Sequence, residues 1–378
     1  MQTNNRKTVL PPQTIGIIGG GQLGRMMALS ARHMGYKIAV LDPTPNCPTA
    51  HVADLQITAA YDDMDAIKEL TDVSDVITYE FENVDLEAAA YIEEKGKLPQ
   101  GALALEITQN RKKEKELFRD LGLPVPDFAI VENGATCEAA LAEFTLPAVI
   151  KTCRGGYDGK GQVKIDSPAD FAAAAELAES HPPCIIEQWI SFDKEVSAVF
   201  TRAIDGNIEF FPIAENEHKD QILYKTTVPA DVSEAVVEKA KKAAAQLAEK
   251  MNIVGTFTVE LFVSGDDIYL NEMAPRPHNS GHYTIEACNI SQFGQHIRAI
   301  CGLPLAPVRL LNQAVMINIL GEDLPGVLKA LPVSPNAFVH LYGKDEAKAK
   351  RKMGHVTFIA DSSEDMNQML QAYEAAVK

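Results

Sequence analysis

Residues 151–163 read KTCRGGYDGKGQV: four glycines set among two lysines, an arginine, a tyrosine and an aspartate. The apolar run before it, PAVIKT, has the length and composition of a strand that ends at Lys151. No G-x-x-x-x-G-K-[ST] fits, so this is not a Walker A loop. A glycine loop of another kind can still fold over phosphates and donate backbone N–H groups. Lys151 either points its ammonium at the same phosphates or is simply solvated. Downstream, GTFTVELFV and DIYLNEMA flank SGDD, a hairpin pattern. That pattern places Glu260 on one strand and Glu272 on its neighbour, with Asn271 beside it. Carboxylates from facing strands can converge on Mg²⁺, a hard cation that takes oxygen ligands together with nucleotide phosphates. They can equally be two exposed side chains. The ordered set of strand-end lysine, glycine loop and paired glutamates favours phosphate chemistry.

Composition bounds the classes. The 378 residues carry 35 basic and 52 acidic side chains, a net charge of −17. A nucleic-acid backbone or an anionic membrane would be repelled, so neither partner is expected. Anionic small substrates are then confined to local basic pockets. No apolar run approaches the ~20 residues of a membrane span. The opening MQTNNRKTVLPPQ lacks a signal core and reads as a disordered tail over residues 1–13. The six cysteines show no C-x-x-C pair, and reduced thiols in a cytoplasmic protein are expected.

Strand and helix alternate over residues 14–107. TIGIIG, YKIAVLD and DVITYEF read as strands; QLGRMMALSARHMG, DMDAIKELTD and DLEAAAYIEEKG read as helices. This rhythm implies a parallel sheet covered on both faces. TQNRKKEKELFRDLG, from residue 108, reads as one charged helix stopped by glycine. The texture then becomes mixed: DFAAAAELAES is a helix, CIIEQWI, KEVSAVFTR and IEFFPIAEN are strands, and SEAVVEKAKKAAAQLAEKM is a long amphipathic helix. After residue 304 come AVMINILG, AFVHLYGK and HVTFIAD, then a last helix. The expected architecture is α/β and α+β multidomain, with a Rossmann-like unit, a central unit and a small C-terminal β-rich unit.

GGGQLG at residues 19–24 follows a strand and opens a helix, and Asp42 ends the next strand. That is the context of a dinucleotide fingerprint. The helix N-terminus can hold an anion. The alternatives are a dinucleotide, another anion, or glycines that merely let strand and helix pack closely. An anion site was the preferred reading.

The ordered motifs resemble those of ATP-grasp enzymes. Lys151 with GGYDGKGQ, EQWI, Glu195, Glu260 and NEMAPRPHNSGH carry the likeness. So do IGIIGGGQLGRMM, YEFENV at 79–84 and YGK at 342–344. More narrowly the chain is similar to the 5-(carboxyamino)imidazole ribonucleotide synthase family, from about residue 14 to the end. The resemblance implies an ATP-grasp fold. A Rossmann-like pre-ATP-grasp domain would span 14–107. The ATP-grasp domain would span 108–303, with a lid subdomain at about 124–190, and a C-terminal domain would span 304–378.

The resemblance also implies roles. Arg111 and Lys151 would contact ATP phosphates, covered by Gly156, Tyr157, Asp158, Gly159, Lys160, Gly161 and Gln162. Glu187, Gln188, Trp189 and Ile190 would line the adenine pocket, a backbone amide and carbonyl reading the base edge. Glu195 would accept from the ribose hydroxyls, His218 would sit near the nucleotide, and Asn271 would lie beside it. Glu260 and Glu272 would bind one or two Mg²⁺, or Mn²⁺. Tyr157, Asp158, Arg276, His278, Asn279 and Ser280 would surround aminoimidazole ribonucleotide and bicarbonate. Gly21, Gln22, Leu23 and Glu80 would contact the ribonucleotide, and Lys344 and Arg351 would grip its 5′-phosphate. A homodimer, and a product passed to a separate mutase, are further implications. Cys153 stands where the family pattern suggests a basic residue, and its thiol is expected to be inert.

The implied reaction joins bicarbonate to the aromatic-conjugated amine at the expense of ATP, through carboxyphosphate, in purine biosynthesis. Carboxyphosphate hydrolyses in water, so the glycine loop would act as a lid. Arg276 offers a planar fork for a bidentate anion that lysine would not reproduce. Asp158 could orient the amine or take its proton, and His278 could carry a proton or only hydrogen-bond. The basic run GKDEAKAKRKMG, inside an acidic protein, fits a substrate phosphate. Three rivals remain at this stage: a formate-dependent glycinamide ribonucleotide formyltransferase, a nicotinamide oxidoreductase built on GGGQLG and Asp42, and an idle nucleotide-binding regulator.

Overall fold

The structure, a computed structural model, describes residues 8–155 and 161–377. Among them the strands form three sheets. The first is parallel, in the order Leu55–Ile57, Lys37–Leu41, Thr14–Ile18, Val76–Tyr79. Its strands are almost wholly apolar because helices cover both faces; Ile15, Ile17, Ile38 and Ile77 have no exposed surface. The second is antiparallel, in the order Phe128–Val131, Cys184–Gln188, Ala148–Thr152, Gln162–Ile165. The glycine loop joins Ala148–Thr152 to Gln162–Ile165. The third runs Asp267–Ala274, Gly255–Ser264, Lys194–Arg202, Ala214–Lys219, Ile222–Val228, Gln313–Leu320, Lys352–Ala360, Phe338–Leu341, with Ile208–Phe210 on one flank.

That third sheet carries a result the sequence did not announce. Lys225–Val228 pair with Ala314–Ile317, so the C-terminal strands extend the central sheet instead of closing one of their own. IEFFPIAEN is also two strands, Ile208–Phe210 and Ala214–Lys219, split around Pro212. Proline cannot donate to a ladder, which breaks the run there. The charged stretch from residue 108 is likewise not one helix. Ala102–Thr108 ends, Asn110 caps a new helix Arg111–Asp120, and its side chain accepts from the Lys112 amide.

Residues 8–13, expected within a disordered tail, are docked. Val9 is buried, its amide donates to the Cys301 carbonyl, and its carbonyl accepts from the Tyr36 hydroxyl. All six cysteines are buried free thiols. Among the described residues no helix is long and apolar enough to cross a membrane.

One buried chain of polar groups locks the first sheet to the third. The Thr256 amide donates to His296 Nδ1 at 3.0 Å, His296 Nε2 meets Thr78 Oγ1 at 2.9 Å, and Thr78 donates to Gln100 Oε1. The amide fixes Nδ1 as acceptor, so the ring proton sits on Nε2. Burial pushes the imidazole down to about 3. Its folded value therefore lies below the unfolded one of about 6.5, and the unfolded chain binds the proton first. This stability is complete above pH 6.5 and is lost as pH falls toward 3, by up to about 5 kcal/mol. Urea unfolding followed by circular dichroism between pH 7 and 4 is expected to show a falling midpoint. His296→Gln, which cannot take a proton, should flatten that slope.

Candidate functional site

The hairpin Gly255–Ser264/Asp267–Ala274 pairs Glu260 directly with Glu272, and the register shifts between Glu260 and Leu261. A bulge at that step re-aims side chains. Both carboxylates line one cleft of about 600 Å³, which also receives Arg111, Lys151, Glu187, Glu195, His218, Arg276 and His278. Burial, then the charge of Glu272, pushes the Glu260 carboxyl up to about 7. The pair is therefore an excess of negative charge that the protein does not cancel. His278 Nε2 lies 3.3 Å from Glu260. Burial, followed by the Arg276 charge, holds that imidazole well below its usual range. Burial thus favours the neutral ring. Among the described residues no group of three or more His, Cys, Asp or Glu could hold a metal by itself. Two carboxylates fit Mg²⁺ only where phosphate or water oxygens complete the shell.

The opposite wall is basic. Lys151 ends the strand Ala148–Thr152 and its Nζ lies 3.1 Å from Glu187 Oε2. Arg111 opens its helix with its amide on the Cys153 carbonyl, and its guanidinium donates to the Thr152 carbonyl at 3.0 Å. Both cations are thus anchored to the strand that leads into the glycine loop. Burial pushes the Cys153 thiol up to about 11, which favours its protonated form.

The third wall is apolar. Val149, Phe262, Met273 and Leu223 line it, and Phe192 stacks on Phe262 with centroids 4.6 Å apart. Trp189 and Ile190 lie at its edge, with Lys164 above the indole. The adenine-edge expectation needs narrowing. The amides of Gln188 and Trp189 are already donated to the Asp127 and Pro147 carbonyls. The Glu187 side chain faces the lysines, so only its backbone is left for a base. His218 Nδ1 pairs with Glu195 Oε2 at 2.5 Å. Burial opposes the imidazolium, but that bond and the Glu195 charge raise the His218 pKa overall. Gln162 Nε2 donates to Gln221 Oε1 at 2.8 Å, tying the end of the glycine loop across the cleft. Gly161 accepts the Thr152 amide at the base of that loop. Asn271, next to Glu272 on the same strand, also lines the cleft.

The acceptor side brings corrections. Ser280 is fully buried, and its hydroxyl meets His278 Nδ1 at 2.9 Å. It orients the histidine and does not face the cleft. Asn279 does line the cleft, and neither its amide oxygen nor its nitrogen has a partner among the described residues. Arg276 pairs with Glu82 at 2.5 Å and donates to the Pro277 carbonyl.

The first glycine loop is not an open anion site. The protein supplies the anion: Glu80 accepts from the amides of Gly21 and Gly24. Asp42 accepts from Gly20 and from the Tyr61 hydroxyl, at 2.7 and 2.6 Å. A dinucleotide would need that Asp for a ribose and those amides for a pyrophosphate. Neither is available, so the nicotinamide reading falls. Gly21, Gln22 and Leu23 open the helix at this place, outside the main cleft. Lys344 is near enough for the charges of Glu80 and Arg351 to act on it, and burial pushes its ammonium down to about 8. Arg351 donates to the Glu346 carbonyl. Gly156, Tyr157, Asp158, Gly159 and Lys160 lie outside the described residues.

Four cleft or near-cleft residues escaped sequence reasoning. Glu82 stood inside the quoted YEFENV, and Lys352 one position beyond Arg351 in the basic run; both line the cleft. Glu114 and Lys115 sat in a helix that looked solvent-facing. Instead, both are buried. Glu114 accepts the Met273 amide at 2.9 Å, and burial, followed by the Glu272 charge, pushes its carboxyl up to about 8.

Comparison with known proteins agrees with this geometry. Residues 12–109 match a ribonucleotide synthetase preATP-grasp domain, 116–293 an ATP-grasp domain, and 314–369 a phosphoribosylaminoimidazole carboxylase C-terminal domain. The N5-carboxyaminoimidazole ribonucleotide synthase of Bacillus subtilis (strain 168) is 47% identical over 96% of this chain and 95% of its own. The crystal structure of an N5-carboxyaminoimidazole ribonucleotide synthetase–ADP complex superposes with a TM-score of 0.94. It is 51% identical and covers 97% of this chain and 98% of the other. The Aspergillus clavatus synthase in complex with ADP and 5-aminoimidazole ribonucleotide has a TM-score of 0.89. It is 31% identical and covers 97% of this chain and 98% of the other.

Proposed function

The chain belongs to the N5-carboxyaminoimidazole ribonucleotide synthases of the ATP-grasp superfamily, and from that premise we propose its reaction and the part each residue plays. It carboxylates 5-aminoimidazole ribonucleotide with bicarbonate and ATP, yielding N5-carboxyaminoimidazole ribonucleotide, ADP and phosphate. The observation that carries this reading is the Glu260–Glu272 pair set in one cleft with Lys151 and Arg111.

ATP lies with its base against the apolar wall, its ribose at Glu195 and His218, and its phosphates at Lys151 and Arg111. The uncancelled charge of Glu260 and Glu272 fits Mg²⁺, which when bound supplies neutralisation of the transferring phosphoryl group. Arg276 holds bicarbonate so that one of its oxygens attacks the γ-phosphorus, and ADP leaves. Carboxyphosphate then breaks its C–O bond to phosphate, releasing CO₂ beside the amine. The amine nitrogen bonds to that carbon and loses a proton; the family resemblance gives Asp158 the part of orienting the amine or accepting that proton. Neutral His278, fixed by Ser280, donates no charge and holds the acceptor by hydrogen bonds. Lys344 and Arg351 hold the 5′-phosphate, whose charge would oppose the lowering of the Lys344 pKa by burial.

The reading extends to a cytoplasmic homodimer whose product goes to a separate mutase. Leu328, Leu331 and Val333, with Phe338 on an edge strand, are exposed apolar side chains of the C-terminal part. The functional test is an ADP-release assay across bicarbonate or formate and aminoimidazole or glycinamide ribonucleotide. Release is expected only with bicarbonate and aminoimidazole ribonucleotide together. Equal release with formate and glycinamide ribonucleotide would transfer the chain to the formyltransferases.

A further inference from the structure

Lys151 does not stand alone at the phosphate wall. Glu187 Oε2 is shared by two lysines: Lys151 at 3.1 Å and Lys115 at 3.4 Å. Lys151 faces the cleft with 17% of its side chain exposed, whereas Lys115 lies behind, 2% exposed. Lys115 Nζ also donates to the Leu270 carbonyl at 3.2 Å, on the strand that carries Glu272. The second oxygen of Glu187 is buried without a partner among the described residues.

A lysine beside a single carboxylate is a neutral pair. Its attraction for a triphosphate would be largely cancelled, because the carboxylate repels the same phosphates. A lysine–carboxylate–lysine row carries one net positive charge, and the exposed end of this row is Lys151. We propose that Lys115 is a positioning residue for nucleotide binding: it absorbs the charge of Glu187, so that Lys151 meets the phosphates as an uncancelled cation. The pKa directions agree. Burial alone would raise the Glu187 carboxyl, but Lys115 and then Lys151 hold it down at about 2. Burial pulls the Lys115 ammonium down, and the Glu187 charge opposes that pull. Arg111 adds charge from one helical turn away, on the face that Lys115 shares at i+4.

This inference rests on the ATP-binding reading above. The test separates the two. ADP and ATP binding to the full chain is measured by calorimetry for the wild type, Lys115→Met and Lys115→Met/Glu187→Gln. A wild type that binds neither nucleotide would remove the ATP reading itself. With the wild type binding, Lys115→Met is expected to weaken ADP about 10- to 100-fold, the worth of one charge-assisted contact. The double variant removes the carboxylate that Lys115 had absorbed and restores the net charge. It is expected to bind within about threefold of wild type. A merely structural lysine predicts the reverse, since a second buried substitution adds damage. Wild-type affinity in Lys115→Met, or a double variant no tighter than the single one, overturns the proposal. Should Lys115→Met fail to fold, Glu187→Gln decides alone. It is expected to bind ADP at least as tightly as wild type, with a steeper loss in salt, and weaker binding would overturn the proposal.

Discussion

Glu272→Ala is expected to lower bicarbonate-dependent ADP formation by about 10³-fold or more, the scale of removing a group that neutralises a transferring phosphoryl. Its thermal midpoint should hold or rise. The two halves of this outcome have separate physical origins. Glu272 is an exposed side chain on Asp267–Ala274, so its truncation leaves no core cavity. Its charge meanwhile raises the carboxyls of Glu260 and Glu114, which burial has already raised. A carboxyl whose folded value lies above its unfolded one costs stability at neutral pH. Removing Glu272 relieves both neighbours at pH 7. The catalytic loss follows from the same geometry, because Glu260 alone presents half of the oxygen donors to Mg²⁺. A coupled ADP assay and a melting curve on the same preparation check the prediction. Activity and midpoint falling together would make Glu272 a structural residue, and an unchanged rate would fit an idle nucleotide-binding regulator.

How far this site could be read in advance depended on the kind of interaction. The hairpin carrying Glu260 and Glu272 was legible from its alternating strands and two-residue turn, but counting from that turn puts Asn271 opposite Glu260, and only the register shift between Glu260 and Leu261 makes Glu272 its partner. The strand–helix rhythm of residues 14–107 was legible for the same local reason. The first glycine loop was misjudged as an anion site because its occupant, Glu80, is about sixty positions away in the chain. Local spacing cannot reveal that a strand-end carboxylate will cap a helix opened by another strand. Glu114 and Lys115 were hidden for an inverse reason. RKKEKELFRD has the composition of a solvated face, and the Glu187 carboxylate, the Leu270 carbonyl and the Met273 amide, all long-range partners, make burial of those charges tolerable. The C-terminal strands were found, but their union with the central sheet depends on edge pairing that carries no local mark.

The second large effect concerns Arg276, for which lysine is expected to be a poor substitute. Arg276→Lys should lower kcat about 10²- to 10³-fold, the scale of losing one preorganised donor to developing charge. The KM for ATP should stay within about threefold, because Lys151 and Arg111 hold the phosphates. The reason lies in how the fork is already spent. One terminal nitrogen pairs with Glu82, the other donates to the Pro277 carbonyl, and Nε is buried without a partner. Two anchors fix the plane of the guanidinium, and the Nε–H with one N–H on each terminal nitrogen is left for a bound anion. A lysine can keep the Glu82 contact but cannot present a second donor in that plane. Glu82→Gln then measures the anchor by itself. It should cost about tenfold in kcat, since the fork keeps its charge but loses its strongest restraint. The two substitutions act through one group, so Arg276→Lys/Glu82→Gln should be no slower than Arg276→Lys alone. Steady-state kinetics with bicarbonate varied supplies all three values. Fully multiplicative losses would show that Glu82 acts independently of Arg276, and a Lys variant near wild-type rate would remove the fork from the chemistry.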